Sequence, residues 1–174
     1  NYCGLGVMAT IRAMRGIFVG DMMDDIKNAI LALAVDRESA LAVFEREFEK
    51  LLQELRRGGK NIFGALKKAS REFAKIPLKL PIEKAKKVVM AGEIFVRRDE
   101  LSSQAVVEAL AEREIVVQRA PVMEWIRFID ARIRYEEKKK FNLKSTLEIL
   151  VRRTLTTSVE KRMKKILAKS GLLH

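Results

Sequence analysis

The chain has 174 residues, 48% of them apolar and 33% charged, which is enough to bury a core and too apolar for a disordered segment. Its single cysteine, Cys3, excludes an intrachain disulfide framework, and with one histidine, His174, it leaves too few soft ligands for a metal site built by this chain alone. The net charge of +12 suits a phosphate-bearing partner or cofactor, or keeps a lysine-rich protein in solution, and no apolar run reaches the roughly 20 residues of a membrane span.

Residues 2–33 read as helical with breaks. Gly16 and Gly20 interrupt the pattern, and Asp21 is placed to cap a second helix whose first turn holds Asp24 and Asp25. The stretch from Gly4 to Gly20 carries Arg12 and Arg15 and lacks the layout of a signal peptide, so a soluble, cytoplasmic protein is expected. Asp36 to Arg57 is the clearest helix. Leu41, Phe44, Phe48, Leu51, Leu52 and Leu55 recur at spacings of three and four, and Gly58-Gly59 stops the run. A further helix over 61–75 offers Phe63, Leu66 and Phe73 for packing. Pro77 and Pro81 then bracket a short extended linker.

The pattern changes after Pro81. Residues 86–91 (KKVVMA) read as a strand covered on both faces, as in a parallel sheet. Residues 101–112 read as a helix with Ala105, Val106, Ala109 and Leu110 turned inward, and 114–119 as a second strand. Strand, helix, strand predicts a βαβ unit with a right-handed crossover. Pro121 suits the first position of a helix whose core side carries Trp125, Ile129 and Ile133. Residues 142–157 and 158–169 read as two more helices, closed by Ser170-Gly171.

The expected class is therefore α/β and helix-rich: an incomplete Rossmann-like parallel βαβ unit flanked by N- and C-terminal helices. The divisions are a helical region over 1–80, the βαβ unit over 81–142, and C-terminal helices over 143–174 leading to a missing remainder. Two strands do not make a stable parallel sheet, so a further strand, a partner chain or more sequence is expected to complete it.

Ligands of open α/β sheets bind beyond the carboxyl ends of the strands, and Gly92-Glu93 stands at such an end. Glycine there lets the backbone turn. Glu93 then either faces a ligand or partner in the crevice, or ties its own loop through backbone N–H groups or a pairing with Arg97 or Arg98. Gly92, Glu93 and Arg97 are the candidate cleft residues.

The stretch GEIFVRRDELSSQAVVEALAEREIVVQRAPVMEWIRF resembles a segment of the 2-hydroxyacyl-CoA dehydratase D-component family, which includes the CoA-substrate-specific enzyme activase proteins. Gly92, Glu93, Ile94, Phe95, Val96 and Arg97 match its Gly-Glu-Ile/Val-Tyr/Phe-Val-Arg strand end. Ala120, Pro121, Glu124, Trp125 and Ile126 match its Pro-containing turn, and Arg15 to Ile26 (RGIFVGDMMDDI) is similar to its Gly-Asp-containing first helix. The close match spans about 40 residues, with a looser match over most of the rest. The resemblance implies Rossmann-like domains, a cysteine-ligated iron–sulfur cluster and an ATPase that donates a low-potential electron. In such dehydratases the electron makes a ketyl radical from a 2-hydroxyacyl-CoA and water is eliminated. This chain departs from the pattern in offering only Cys3 as a cluster ligand, and in lacking the later βα elements with their Gly-Cys turn. A cluster is thus expected in the parent protein and none in this chain alone, which by itself is expected to be inactive. The remainder of the parent chain or an ATPase activator is the implied partner, with a homo-oligomer a further one; nucleic acid and membrane are not expected.

A second expectation comes from charge. Arg152-Arg153, Lys161-Arg162 and Lys164-Lys165 give a basic helical surface, which fits a binding module for RNA or a protein partner. No Walker loop or GxGxxG is present, and Glu112, Glu114 and Glu124 are not spaced as an acid/base pair.

Overall fold

The computed structural model describes residues 7–95, 99–137 and 143–173. In chain order its elements are α1 (Val7–Leu33), α2 (Arg37–Arg56), α3 (Ile62–Phe73), β1 (Lys86–Met90), α4 (Glu100–Ala111), β2 (Ile115–Arg119), α5 (Val122–Glu137) and α6 (Leu143–Leu167), closed by a 3-10 turn at Ala168–Ser170. The class is α/β and helix-rich, with one two-stranded parallel sheet. Lys86 stands opposite Ile115 and Met90 opposite Arg119.

One long helix organises the rest. α1 touches α2, α4, β2, α5 and α6. Its second half is buried on nearly every side, through Phe18, Val19, Met22, Met23, Ile26, Ala29, Ile30, Ala32 and Leu33. This corrects the expected break at Gly16 and Gly20, with a new helix capped by Asp21. An interior glycine costs a helix about 1 kcal/mol against alanine. Burying one large apolar side chain returns about 1.5–3 kcal/mol, so the surrounding core outweighs both glycines.

α2 packs on α1, and α3 packs on α2 and on α6. Asp36 caps α2, its carboxylate accepting from Ser39 N–H at 3.1 Å and from Ser39 Oγ at 2.6 Å. Those bonds, the side-chain one foremost, hold the Asp36 carboxyl below its ordinary value. Gly58 and Gly59 both adopt positive φ, 96° and 66°, and end α2 as anticipated. Phe44 lies 6.1 Å from Phe73 and 5.6 Å from Phe48, ring to ring. Glu47 is buried among these residues, 3% exposed. Burial raises its pKa, but Lys50 and Arg46 outweigh that and the net direction is down.

The proline-bracketed linker pairs back on the α1–α2 junction: Val35 N–H donates to Pro77 and Lys79 N–H to Leu33. Arg37 at the start of α2 donates to the carbonyl of Ala111 at the end of α4, 2.9 Å away, where the helix dipole favours a cation. α3 meets α6 through Ser70 Oγ, which donates to the Ile166 carbonyl at 2.9 Å, and through Arg162, 4.2 Å above the Phe63 ring.

Four more expectations change. β1 is not covered on both faces: Val89 is 69% exposed and Val88 37%. The buried positions of α4 are Ser103, Val107 and Ala111, one residue or more away from the expected set, while Ala105, Val106 and Ala109 face solvent. Trp125 is 44% exposed rather than core, Ile129 is half-buried, and the Ile133 side chain lies outside those described. The two C-terminal helices are one, α6, running to Leu167. Pro121 stands one residue ahead of α5.

A Cβ placed on Gly20 meets nothing within 4 Å. Gly20→Ala is therefore expected to stabilise the protein by about 0.5–1 kcal/mol, read as a raised denaturant midpoint at unchanged slope.

Candidate functional site

Three polar residues of α1 fall on one stripe. Asp21, Asp24 and Asn28 are spaced by three and four, so they share a face of the helix. That face runs along β2 in the opposite direction. Asn28 Nδ2 donates to the Val117 carbonyl at 3.0 Å, in the middle of the strand. Asp24 receives Arg119 Nη1 on both carboxylate oxygens, at 3.1 and 3.2 Å, at the strand's end. Asp21 accepts from the N–H groups of Val122 and Met123, at 3.0 and 3.2 Å, in the first turn of α5.

The cluster lies where β1 and β2 both reach their carboxyl ends. The Met90 carbonyl accepts from Ala120 N–H at 2.9 Å and locks the two exits together. Arg119 also donates through Nη2 to Ser103 Oγ at 3.1 Å, and that hydroxyl donates to the Asp99 carbonyl at 2.7 Å. Arg119 Nε is buried without a hydrogen-bond partner. The group is thus a set of charge-assisted bonds tying α1, α4, β2 and α5 at a single point.

The chemistry is that of a filled anion site. A helix N-terminus presents free N–H groups and the positive end of its dipole, and phosphates commonly bind there. The residue before α5 is Pro121, which has no side-chain acceptor. Asp21, 101 residues away in sequence, supplies the carboxylate instead. Asp24 and Arg119 neutralise each other in a setting where the Arg119 side chain is 9% exposed. These groups build the mouth of the sheet and are engaged with one another.

Gly92 and Glu93 stand beside this mouth, both exposed. Gly92 has φ of 134°, a conformation that a side chain strongly disfavours, so glycine is required for the chain to leave β1 in this direction. The Glu93 carboxylate accepts from Phe95 N–H at 2.7 Å and so braces its own loop. Arg97 and Cys3 lie outside the described residues, as does His174. Sequence reasoning missed Asp21, Asp24, Ser103 and Arg119 as a unit. The available signal was a polar stripe at helical spacing, DMMDDIKN, inside an otherwise apolar run.

An iron–sulfur cluster does not fit this donor set. Such clusters take thiolates, and the mouth offers carboxylates, a hydroxyl and a guanidinium. Among the described residues no group of three or more His, Cys, Asp or Glu is placed to hold a metal ion, and no helix is long and apolar enough to cross a membrane.

Asp21→Ala is expected to cost about 1–2 kcal/mol, since it strips two N–H partners from the first turn of α5. Arg119→Leu is expected to cost about 3–5 kcal/mol by leaving the Asp24 carboxylate without its cation, with part of that loss recovered in the Asp24→Leu/Arg119→Leu double variant. Urea unfolding of the single and double variants measures both. No family model, curated protein or solved structure matches the chain.

Proposed function

We propose that this chain is the scaffold portion of an iron–sulfur dehydratase or activase-like protein, one that delivers ATP-driven, low-potential electrons to a CoA-type substrate. Its parallel unit serves as a Rossmann-like half-sheet. One observation carries this reading. The three stretches that bear the family resemblance lie far apart in sequence, yet they meet at one end of the sheet. Asp21 from Arg15–Ile26 caps the helix that follows Ala120-Pro121. The β1 exit at Gly92-Glu93 is tied to the same turn through the Met90 carbonyl. The parallel pairing of β1 and β2 brings the second and third stretches together by itself; the added support is that the first reaches the same end through Asp21.

On this reading the chain's own residues position rather than react. Asp21, Asp24, Asn28 and Arg119 hold α1 against β2, and Gly92 and Glu93 stand at the exit of β1, on the side that faces the remaining protein or its ATPase activator. Cluster ligands come from elsewhere in the parent protein. The intact gene product, purified without oxygen, is expected to contain iron and acid-labile sulfide and to show a reduced-cluster EPR signal when its activator and ATP are supplied. A product free of iron and sulfide overturns the reading. Cys3→Ala in that protein separates a ligand, whose loss lowers iron content, from an ordinary thiol.

The second reading, a basic binding module for RNA or an acidic protein, has its own support. α3 and α6 pack side by side and expose Lys67, Lys68 and Arg71 on one, Lys161, Lys165 and, just beyond, Lys169 on the other. Duplex RNA titrated from low to high salt decides it. A binding module loses affinity linearly in log–log form with a steep slope, and absence of binding at low salt removes this alternative.

A further inference from the structure

β1 exposes apolar side chains on both faces, with Lys87 and Met90 half-buried. The bond from Ala120 N–H to the Met90 carbonyl sets the parity of the parallel ladder. Lys86, Val88 and Met90 turn their backbone groups toward β2, while Lys87 and Val89 turn theirs outward. On β2 the outward parity falls on Val117, and there Asn28 covers the carbonyl. β1 has no such cover: among the described residues no hydrogen bond reaches the outward N–H and C=O groups of Lys87 or Val89. Its side chains are bare on both faces, Val88 to one side and Val89 to the other.

We propose that the free edge of β1 receives a strand from another polypeptide, one that carries apolar and acidic side chains. Charge selects this occupant. Lys86 and Lys87 project from opposite faces of the strand, Lys84 precedes them, and none of the three forms an ion pair among the described residues. Glu83 is the one carboxylate between Ile82 and Gly92. Lysines on an edge strand discourage indiscriminate pairing, so an incoming strand must answer them. A strand with Glu or Asp beside Lys86 and Lys87 gains cross-strand attraction on both faces, and its apolar residues cover Val88 and Val89. A second copy is the poorer fit. It brings the same lysines and sets a net charge of +12 against +12. Among the described residues the edge has no hydrogen-bond partner whichever of the two functions holds, so a failure here leaves the functional proposal standing.

Amide hydrogen exchange on the isolated chain tests the edge. Lys87 and Val89 N–H are expected to exchange at unprotected rates while Val88 and Met90 N–H are slowed. A terminally blocked Glu-Val-Thr-Val-Glu-Val peptide should then slow Lys87 and Val89. Its lysine-for-glutamate counterpart should bind at least about tenfold more weakly. Val89→Pro removes an outward N–H that the β1–β2 ladder does not use, and is expected to abolish peptide binding. The Lys86→Glu/Lys87→Glu variant keeps the test open should the proline variant unfold, because it should reverse the preference between the two peptides. Protected Lys87 and Val89 amides in the isolated monomer overturn the proposal. So does equal binding of both peptides, and so does protection that rises with chain concentration alone, which would assign the edge to a second copy.

Discussion

A helix buried on nearly every side can keep a polar residue only where a neighbour needs it. Asp21, Asp24 and Asn28 share one face of α1, and each answers a group that folding would otherwise strand: two N–H donors of α5, the Arg119 guanidinium, and a carbonyl on the outer edge of β2. Unpaired, each buried group costs about 1–3 kcal/mol, and more where it is charged. The stripe therefore fixes how far α1 slides along β2 as well as which face it turns. Apolar packing alone tolerates small shifts that these bonds do not. This row, the bond from Arg37 to the Ala111 carbonyl and a shared apolar core join the helical part and the βαβ part.

The same row reaches the outer edge of β2 at the Val117 carbonyl, while among the described residues no hydrogen bond reaches the outer edge of β1. A helix laid against a strand edge covers its backbone groups nearly as well as another strand, provided side chains reach them. Asn28 does so at Val117. On the far side, β1 has lysines and two exposed valines instead. The sheet thus has one strand packed against α1 and α4 and a second whose outer edge carries no hydrogen bond among the described residues.

What could be read in the sequence follows the distance over which each decision is made. α2 was legible because its apolar stripe, Asp36 cap and Gly58-Gly59 stop are all local. The βαβ order was legible from the change of period after Pro81. α1 was misread as two helices because glycine's local cost is visible in sequence and the burial that overrides it is not. The inward face of α4 was misplaced because Ser103 reads as a solvent residue, yet it is buried with Arg119 and the Asp99 carbonyl satisfying its hydroxyl. β1 looked like a fully covered strand because a continuous apolar run does not say whether its neighbours are present. The end of β1 just before Gly92-Glu93, and the glycine turn there, were foreseen. The Asp21–Asp24–Arg119 cluster, made across about a hundred residues, was not.

That separation also has a consequence for biosynthesis. α1 leaves the ribosome long before the residues that complete it. At roughly 5–20 residues per second, Asp21 waits on the order of 5–20 s for Val122 and Met123 to be translated. During that interval a long segment rich in Met and Ile has α2 to lean on but no strand beside its carboxylates. The nascent chain is then a natural client for a holdase chaperone, and nonsense truncation anywhere before residue 119 would leave it permanently in that condition.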